Sequence, residues 1–328
     1  MNLTPLTAAT STRPSAQDDG ACSAADGSSH EKLPGFCGED YPALYRAADV
    51  ASRRAHMAHT RLVGAELALL VGAALIGAAQ SLLPGAGSGW ERSLPAVLLV
   101  AALIAKLSNR LQRFDEYWFD GRAVAETVKS ATWRYAMSVR PYDGDGTQPD
   151  ITLGEALREA LAARPALAAH LHRLPPTGSP QVVTERMRQT RLMPPEQRRG
   201  FYLTARVDDQ EAWYAGKSRA NARSATVWFW VSLLFEGLAL AAAIMLAVTG
   251  FTVDLVGPLA AITAAATAWT QLGRHDELAK SYGLAAHELM LLHSRLELAE
   301  TEEAFRQGVE ETESAISREH TMWMAKRS

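Results

Sequence analysis

Apolar residues along this chain gather into two blocks, and each block has the same phrasing. A basic amphipathic approach leads into an apolar hairpin with a short turn, and a long stretch with heptad spacing leads away. The first hairpin runs from about Leu62 to Lys106 and the second from about Ala225 to Gly273. Between Leu62 and Leu83 the one charged residue is Glu66, between Ala225 and Gly250 it is Glu236, and between Leu255 and Gly273 there is none. Each of these stretches is long enough to cross a hydrocarbon core of about 30 Å as a helix. The stretch from Leu94 to Ala105 is shorter, and spans if its helix starts near Ser88 and Lys106 snorkels to the interface. The pattern predicts an all-α membrane protein. It has two repeated transmembrane helical hairpins, four spans in all, with long cytosolic coiled-coil-like helices.

After the first hairpin, apolar or small residues recur at Leu107, Leu111, Phe114, Trp118, Gly121, Ala125, Val128, Thr132, Tyr135 and Val139. This four-three alternation is the seam of helices packing side by side. It stops at Pro141 and the Asp143–Gly146 turn. After the second hairpin it returns at Leu278, Tyr282, Ala285, Leu289, Leu292, Leu296 and Ala299, then shifts register through Phe305, Val309, Thr312 and Ile316. Straight helices of this length project some ~50 Å from the membrane at ~1.5 Å per residue. Their seams are the expected means of assembly into a homo-oligomer.

Four segments follow: a disordered tail over 1–40, a two-span unit over 41–140, a cytosolic linker with a short amphipathic helix over 141–200, and a second two-span unit with a long C-terminal helix over 201–328. The linker helix is expected between Ile151 and Leu174, broken near Pro165. The end of the linker is basic (Arg186, Arg188, Arg191, Arg198, Arg199), and the last helix is acidic (Glu297, Glu300, Glu302, Glu303, Glu310, Glu311, Glu313). Either the two dock electrostatically or they are two solvated faces.

The bulk figures, 328 residues with 48% hydrophobic and a net charge of −3, hide this organisation, and a mean hydropathy of −0.09 reads as soluble. Cys22 and Cys37 lack metal-ligand spacing and are too few for a disulfide framework. The tail has no basic start followed by an apolar core, so no signal peptide is expected. Arginine and lysine crowd the hairpin ends (Arg53, Arg54, Arg61, Lys106, Arg110, Arg113; Lys217, Arg219, Arg223, Arg274), while the turns hold Arg92 and Asp254. Both termini are therefore expected in the cytosol, as in a multi-pass membrane protein. Trp228, Trp230 and Trp269 fall at the inner interface and Trp90 at the outer one.

Ionisable groups inside spans are costly and mark candidate sites. Glu66 and Lys106 sit at similar depth and form an expected ion pair. Glu236 lies near the middle of its span with no basic residue at that depth. A polar face on the returning span, Thr263, Thr267, Thr270 and Gln271, could either line a water-filled path with it or act as hydrogen-bond glue. In the cytosolic stretches, Arg122, Glu126, Lys129 and Trp133 share one helical stripe, and Arg206, Gln210, Trp213, Lys217 and Asn221 share another. They read as inter-helix packing or as a coupling surface toward the membrane. There is no phosphate-binding loop, metal motif or nucleophile elbow. No enzymatic activity, cofactor or metal is expected, and the acidic balance argues against nucleic acid.

The run Arg122-Ala-x-Ala-Glu126-x-x-Lys129-Ser-x-x-Trp133-Arg-Tyr-Ala-Met137 resembles the signature of the bacterial SLATT families, the SMODS- and SLOG-associating two-transmembrane effector domains. Asp208-Asp209-Gln210-x-x-Trp213-Tyr214-x-x-Lys217-x-x-x-Asn221 resembles the opening of a second such domain, and Ile316-Ser317-Arg318-Glu319-His320-Thr321-x-Trp323 its closing motif. Together these cover roughly residues 40–328. The resemblance implies a pore-forming effector of a bacterial conflict system, triggered by a nucleotide signal or a sensor partner. A membrane-anchored scaffold and a constitutive channel or transporter are the alternatives.

Overall fold

The computed structural model describes residues 35–82, 89, 91–172, 181–249 and 255–325. Residues 1–34 of the expected tail, most of both hairpin turns, Trp90 and the side chains of the closing motif from Arg318 onward lie outside the described part. Among the described residues the architecture is helical throughout.

Two helices set the frame. α1 (Ala43–Leu82) and α8 (Asp209–Thr249) run unbroken for 40 and 41 residues, about 60 Å each. Each begins in a packed body and ends in an apolar half. From α1 the chain returns through α2 (Leu94–Gln112) and continues into α3 (Phe114–Ala136); from α8 it returns through α9 (Val256–Gly273) into α10 (His275–Glu297). Three helical runs are long and apolar enough to cross a membrane: Ala43–Gln80, Leu94–Ala136 and Pro195–Thr249. α9 is 18 residues long, and its threonines and Gln271 keep it out of that group. In the apolar half, α1 packs on α2 and on α9, and α9 packs on α8. The order across the layer is therefore α2, α1, α9, α8.

The duplication is visible as one joint built twice. Arg113, between α2 and α3, is left-handed at φ 49°, and Arg274, between α9 and α10, at φ 45°. Each bonds a glutamate three residues on: Arg113 Nε to Glu116 Oε1 at 2.7 Å, and Arg274 Nε to Glu277 Oε2 at 2.9 Å. Five residues past each arginine a carbonyl accepts a serine hydroxyl from the long helix beside it. Ser52 donates to the Trp118 carbonyl at 2.9 Å, and Ser218 to that of Ala279 at 2.7 Å. The seams expected to be continuous thus start at a kink, and Leu107 and Leu111 ahead of the first kink are exposed.

Past the kinks the seam residues are buried or half-buried, but against helices of the same chain. Ala125, Val128 and Tyr135 on α3 join Tyr41, Tyr45, Ala48 and Ala51 at the start of α1. Gly121 allows the closest approach, since a Cβ there would stand 2.9 Å from the Ala48 carbonyl oxygen. The final helix does not run on from α10. The chain reverses, and α11 (Glu302–Ala325) folds back along α10. Leu296 meets Gly308, Arg295 pairs with Glu311, and Ile316 packs with Tyr214, Ala285 and Leu289. The Thr301 side chain accepts the Ala304 amide at 3.2 Å and starts the new helix. The register shift between Ala299 and Phe305 is this reversal, so the stalk is a folded body rather than a ~50 Å rod.

Residues 141–172 and 181–199 belong to that body. α4 (Gln148–Ala162) and α5 (Pro165–Leu171) are separated just before Pro165, and α6 (Glu185–Arg191) and α7 (Pro195–Tyr202) follow. Leu153, Leu157, Leu167, Val183 and Met187 are buried in the same core as α3. One turn of π-helix, Leu203–Asp208, joins α7 to α8.

Candidate functional site in the joint between the two halves

α3 of the first half, the π-turn of the second and α11 meet around one carboxylate. Glu313 is fully enclosed, and Arg206 and Trp133 are each 1% exposed. Arg206 holds Glu313 at two points, Nε to Oε1 at 2.9 Å and Nη2 to Oε2 at 2.8 Å. The Ser130 hydroxyl donates to Oε2 at 2.6 Å and the Tyr202 hydroxyl to Oε1 at 3.1 Å. Burial opposes the charge on Arg206, and the Glu313 carboxylate more than offsets it, so the guanidinium pKa lies above its ordinary value. Burial first, and the Glu313 charge second, push the Tyr202 phenol well above its ordinary pKa and keep it a donor. Arg206 lies within the π-turn and is buried there, a local geometry frequent at functional sites.

Trp133 roofs this pair. Its ring lies 5.9 Å from the Arg206 guanidinium, and its Nε1 donates to the Tyr41 hydroxyl at 3.2 Å. Phe36 covers it from the other side at 4.5 Å between ring centres, and Phe201 adds a third face. Arg134 reaches Ser314 at 2.8 Å. The two halves are thus joined through a buried ionic centre within an aromatic shell.

The two polar stripes read from the sequence line this joint and its continuation toward the apolar half. Arg122 pairs with Glu126 at 2.9 Å. Burial works against the Arg122 charge, but Glu126 and the facing Tyr282 and Tyr214 raise its pKa overall. Lys129 is buried beside the Tyr41 ring, and Gln210 is buried too. Trp213 packs edge-on against Tyr214 and Tyr282, with Lys217 Nζ 5.7 Å from its ring centre. Asn221 Oδ1 lies 2.9 Å from His275 Nδ1, tying α8 to the start of α10. The stripes are inter-helix contacts, and those of the second half lead along α8 to the membrane.

Sequence reasoning did not single out Ser130, Tyr202 or Glu313. Glu313 was grouped with the acidic face of the last helix, yet it falls four residues after Val309 and three before Ile316, on the seam itself.

Within the apolar half, Glu66 and Lys106 come together at 3.4 Å. Glu236 is exposed and has no hydrogen bond or ion pair among the described residues. The register of α8 against α9 follows from Trp228 facing Trp269 and Ser218 facing Ala279. It sets Glu236 opposite Ala261. Thr263 lies near that depth, its hydroxyl buried with no hydrogen-bond partner. Thr267, Thr270 and Gln271 sit about 9–15 Å closer to the Arg274 kink, and Thr270 donates back to the Ala266 carbonyl at 2.8 Å. The chain therefore does not bring Glu236 onto those three groups.

Family models match both halves. The SMODS and SLOG-associating 2TM effector domain 3 covers residues 42–199, and the SMODS and SLOG-associating 2TM effector domain 1 covers residues 202–323. The first match takes in the whole of α4–α6 and the start of α7, in keeping with the core that α4–α6 share with α3. No curated protein and no solved structure matches the chain. Gly200 and Phe201 separate the two matches, next to Tyr202 of the Glu313 centre, and the chain belongs to the SMODS and SLOG-associating two-transmembrane effector family, of which it carries two domains in tandem.

Proposed function

We propose that this chain is the membrane-acting effector of a bacterial conflict system, assembling in the inner membrane and opening a pore or disrupting the bilayer when its cytosolic body is engaged by a nucleotide signal or a sensor protein. In this reading α9 is the fourth span, the return leg of the second hairpin, and both termini lie in the cytosol.

Glu236 carries the proposal. A carboxylate near the middle of a span costs roughly 3 kcal/mol when it faces lipid, and the described residues of one copy supply no partner for it. Assembly into a homo-oligomer with Glu236 turned toward a shared, water-accessible path removes that cost. The partnered Glu66–Lys106 pair braces the first hairpin in this arrangement and carries no ions.

The test is inducible expression in cells loaded with a membrane-potential dye, with the trigger supplied, wild type beside Glu236→Gln. Early depolarisation by wild type and an altered ion conductance in the variant support the pore. Normal assembly with no depolarisation in either favours a membrane-anchored scaffold, and depolarisation without any trigger favours a constitutive channel.

A further inference from the structure

α10 and its C-terminal cap residue Leu298 carry a second heptad that the described residues leave exposed. Leu284, Leu291 and Leu298 follow one another at intervals of seven and are 67%, 69% and 80% exposed, with Met290 beside them at 47%. The opposite face, Ala285, Ala286, Leu289 and Leu296, is buried against α8 and α11. Lipid does not cover the stripe. α8 runs straight from the cytosolic body into its apolar half, and α10 lies along the cytosolic part of it, held by Ser218 to Ala279 and by His293 to Asp208 at 3.0 Å. α10 therefore points away from the membrane, with Leu284 about 15 Å and Leu298 about 36 Å along the helix from the Arg274 kink.

We infer that this stripe is the contact between the α10 helices of two copies of this chain, lying parallel. The inference rests on the assembly proposed above and names the surface that makes it. A spacing of seven keeps one stripe against a parallel neighbour, and two copies inserted in the same membrane present their α10 helices the same way up. The polar residues on the stripe, His287 and Ser294, each use their donor within their own helix, and the remaining His287 Nε2 acceptor lies on an exposed side chain. His287 Nδ1 bonds the Gly283 carbonyl at 2.7 Å, and Ser294 Oγ that of Met290 at 3.2 Å, so a neighbour buries no unpaired donor there. Four apolar side chains per copy fall short of the ~1,200 Å² that holds a stable complex together in free solution. Confinement to one membrane supplies the rest, because it raises the effective concentration of one copy around another. The seam recognisable in the sequence builds the monomer, and this second stripe pairs monomers.

Full-length protein in native membranes, with Cys22→Ser and Cys37→Ser, is given one new cysteine at a time: Leu284→Cys, Leu291→Cys, Leu298→Cys, and Glu155→Cys on the exposed face of α4 as a control. Mild oxidation is expected to give dimer-sized bands at the three stripe positions and none at the control. Amine-reactive crosslinking of the same membranes reads assembly independently. Assembly without stripe crosslinks, or with equal crosslinking at residue 155, overturns the stripe and spares the oligomer. No assembly by either method overturns both. Leu291→Glu, at an exposed position, is expected to cut the crosslinked fraction at Leu284→Cys at least tenfold with an unchanged melting temperature. Undiminished crosslinking overturns the inference.

Discussion

Arg206 and Glu313 meet at two points, 2.9 and 2.8 Å, in a place neither shares with solvent. The pair is the centre of the joint between the tandem domains, since Ser130 on the first domain also bonds Glu313. Removing one partner strands the other as a buried charge, which costs about 3–5 kcal/mol. Glu313→Gln and Arg206→Gln should each lower the melting temperature of the detergent-solubilised protein sharply. The double variant, a neutral amide pair, should recover part of the loss, with a coupling on the order of 2 kcal/mol. Simple additivity of the two losses would show that the residues do not act as a pair.

His56 makes stability depend on pH. Burial against the Trp118 ring, 4.0 Å away between centres, and then the neighbouring His59 bring its pKa from 6.5 down to about 4. The unfolded chain binds a proton at His56 below pH 6.5 and the folded one only below about 4. Stability from this residue is therefore complete above pH 6.5 and is lost as pH falls from 6.5 toward 4. Melting curves at pH 7.5 and 5.0 should show a drop for wild type and a smaller one for His56→Gln. An equal drop in both would assign the pH dependence elsewhere.

The two arginine kinks predict opposite effects for two substitutions at one place. A left-handed conformation costs a non-glycine residue about 1 kcal/mol or more, and a β-branched residue bears it worst. Arg113→Gly and Arg274→Gly relieve that strain while losing exposed ion pairs worth about 0–1 kcal/mol, so the melting temperature should hold or rise slightly. Arg274→Val should lose stability by about 1–2 kcal/mol. If the valine variant is as stable as the glycine variant, the kink is not a feature of the folded protein in the membrane.

Period and charge made the two hairpins, the seams and the Glu66–Lys106 pair legible in the sequence. A heptad period reports that one helix face is buried, but not whether the covering helix belongs to the same chain. That is why the seam from Gly121 to Val139 suggested assembly between copies while its partners are α1 and α11. The kinks were hidden because arginine is not a residue that signals a left-handed turn. Their trace was an Arg-x-Asp-Glu repeat, Arg113–Glu116 and Arg274–Glu277, at the same place in both halves. The exposed heptad at Leu284, Leu291 and Leu298 could not be told from the buried one until α11 was seen to cover the other face of α10. Glu236 stood out as a lone intramembrane charge, but its distance from Thr267, Thr270 and Gln271 depends on the α8–α9 register, which the turn length alone does not set.

The basic linker and acidic final helix do meet, and through few of the charges that face each other in the sequence. Arg198 pairs with Glu302, and Arg199 donates to the carbonyls of Leu296, Glu297 and Ala299 at the exposed end of α10. Carbonyls at and just past a helix end lack the full set of helical partners; that of Leu296 also takes the Ala299 amide at 3.4 Å, and Arg199 adds a C-terminal cap supplied by the other domain. Glu300 and Glu303 are exposed and take no part in these bonds. Charge reversal should therefore split by position. Glu302→Lys, set against the nearly buried Arg198, should cost about 1–3 kcal/mol, and Arg199→Ala a similar amount through the lost cap. Glu300→Lys should stay within about 0.5 kcal/mol of wild type. Chemical denaturation of the three variants side by side decides it. Equal effects at residues 300 and 302 would mean that the docking is a diffuse attraction between faces, whereas a loss confined to 302 and 199 locates it in two arginines at the turn where α10 hands over to α11.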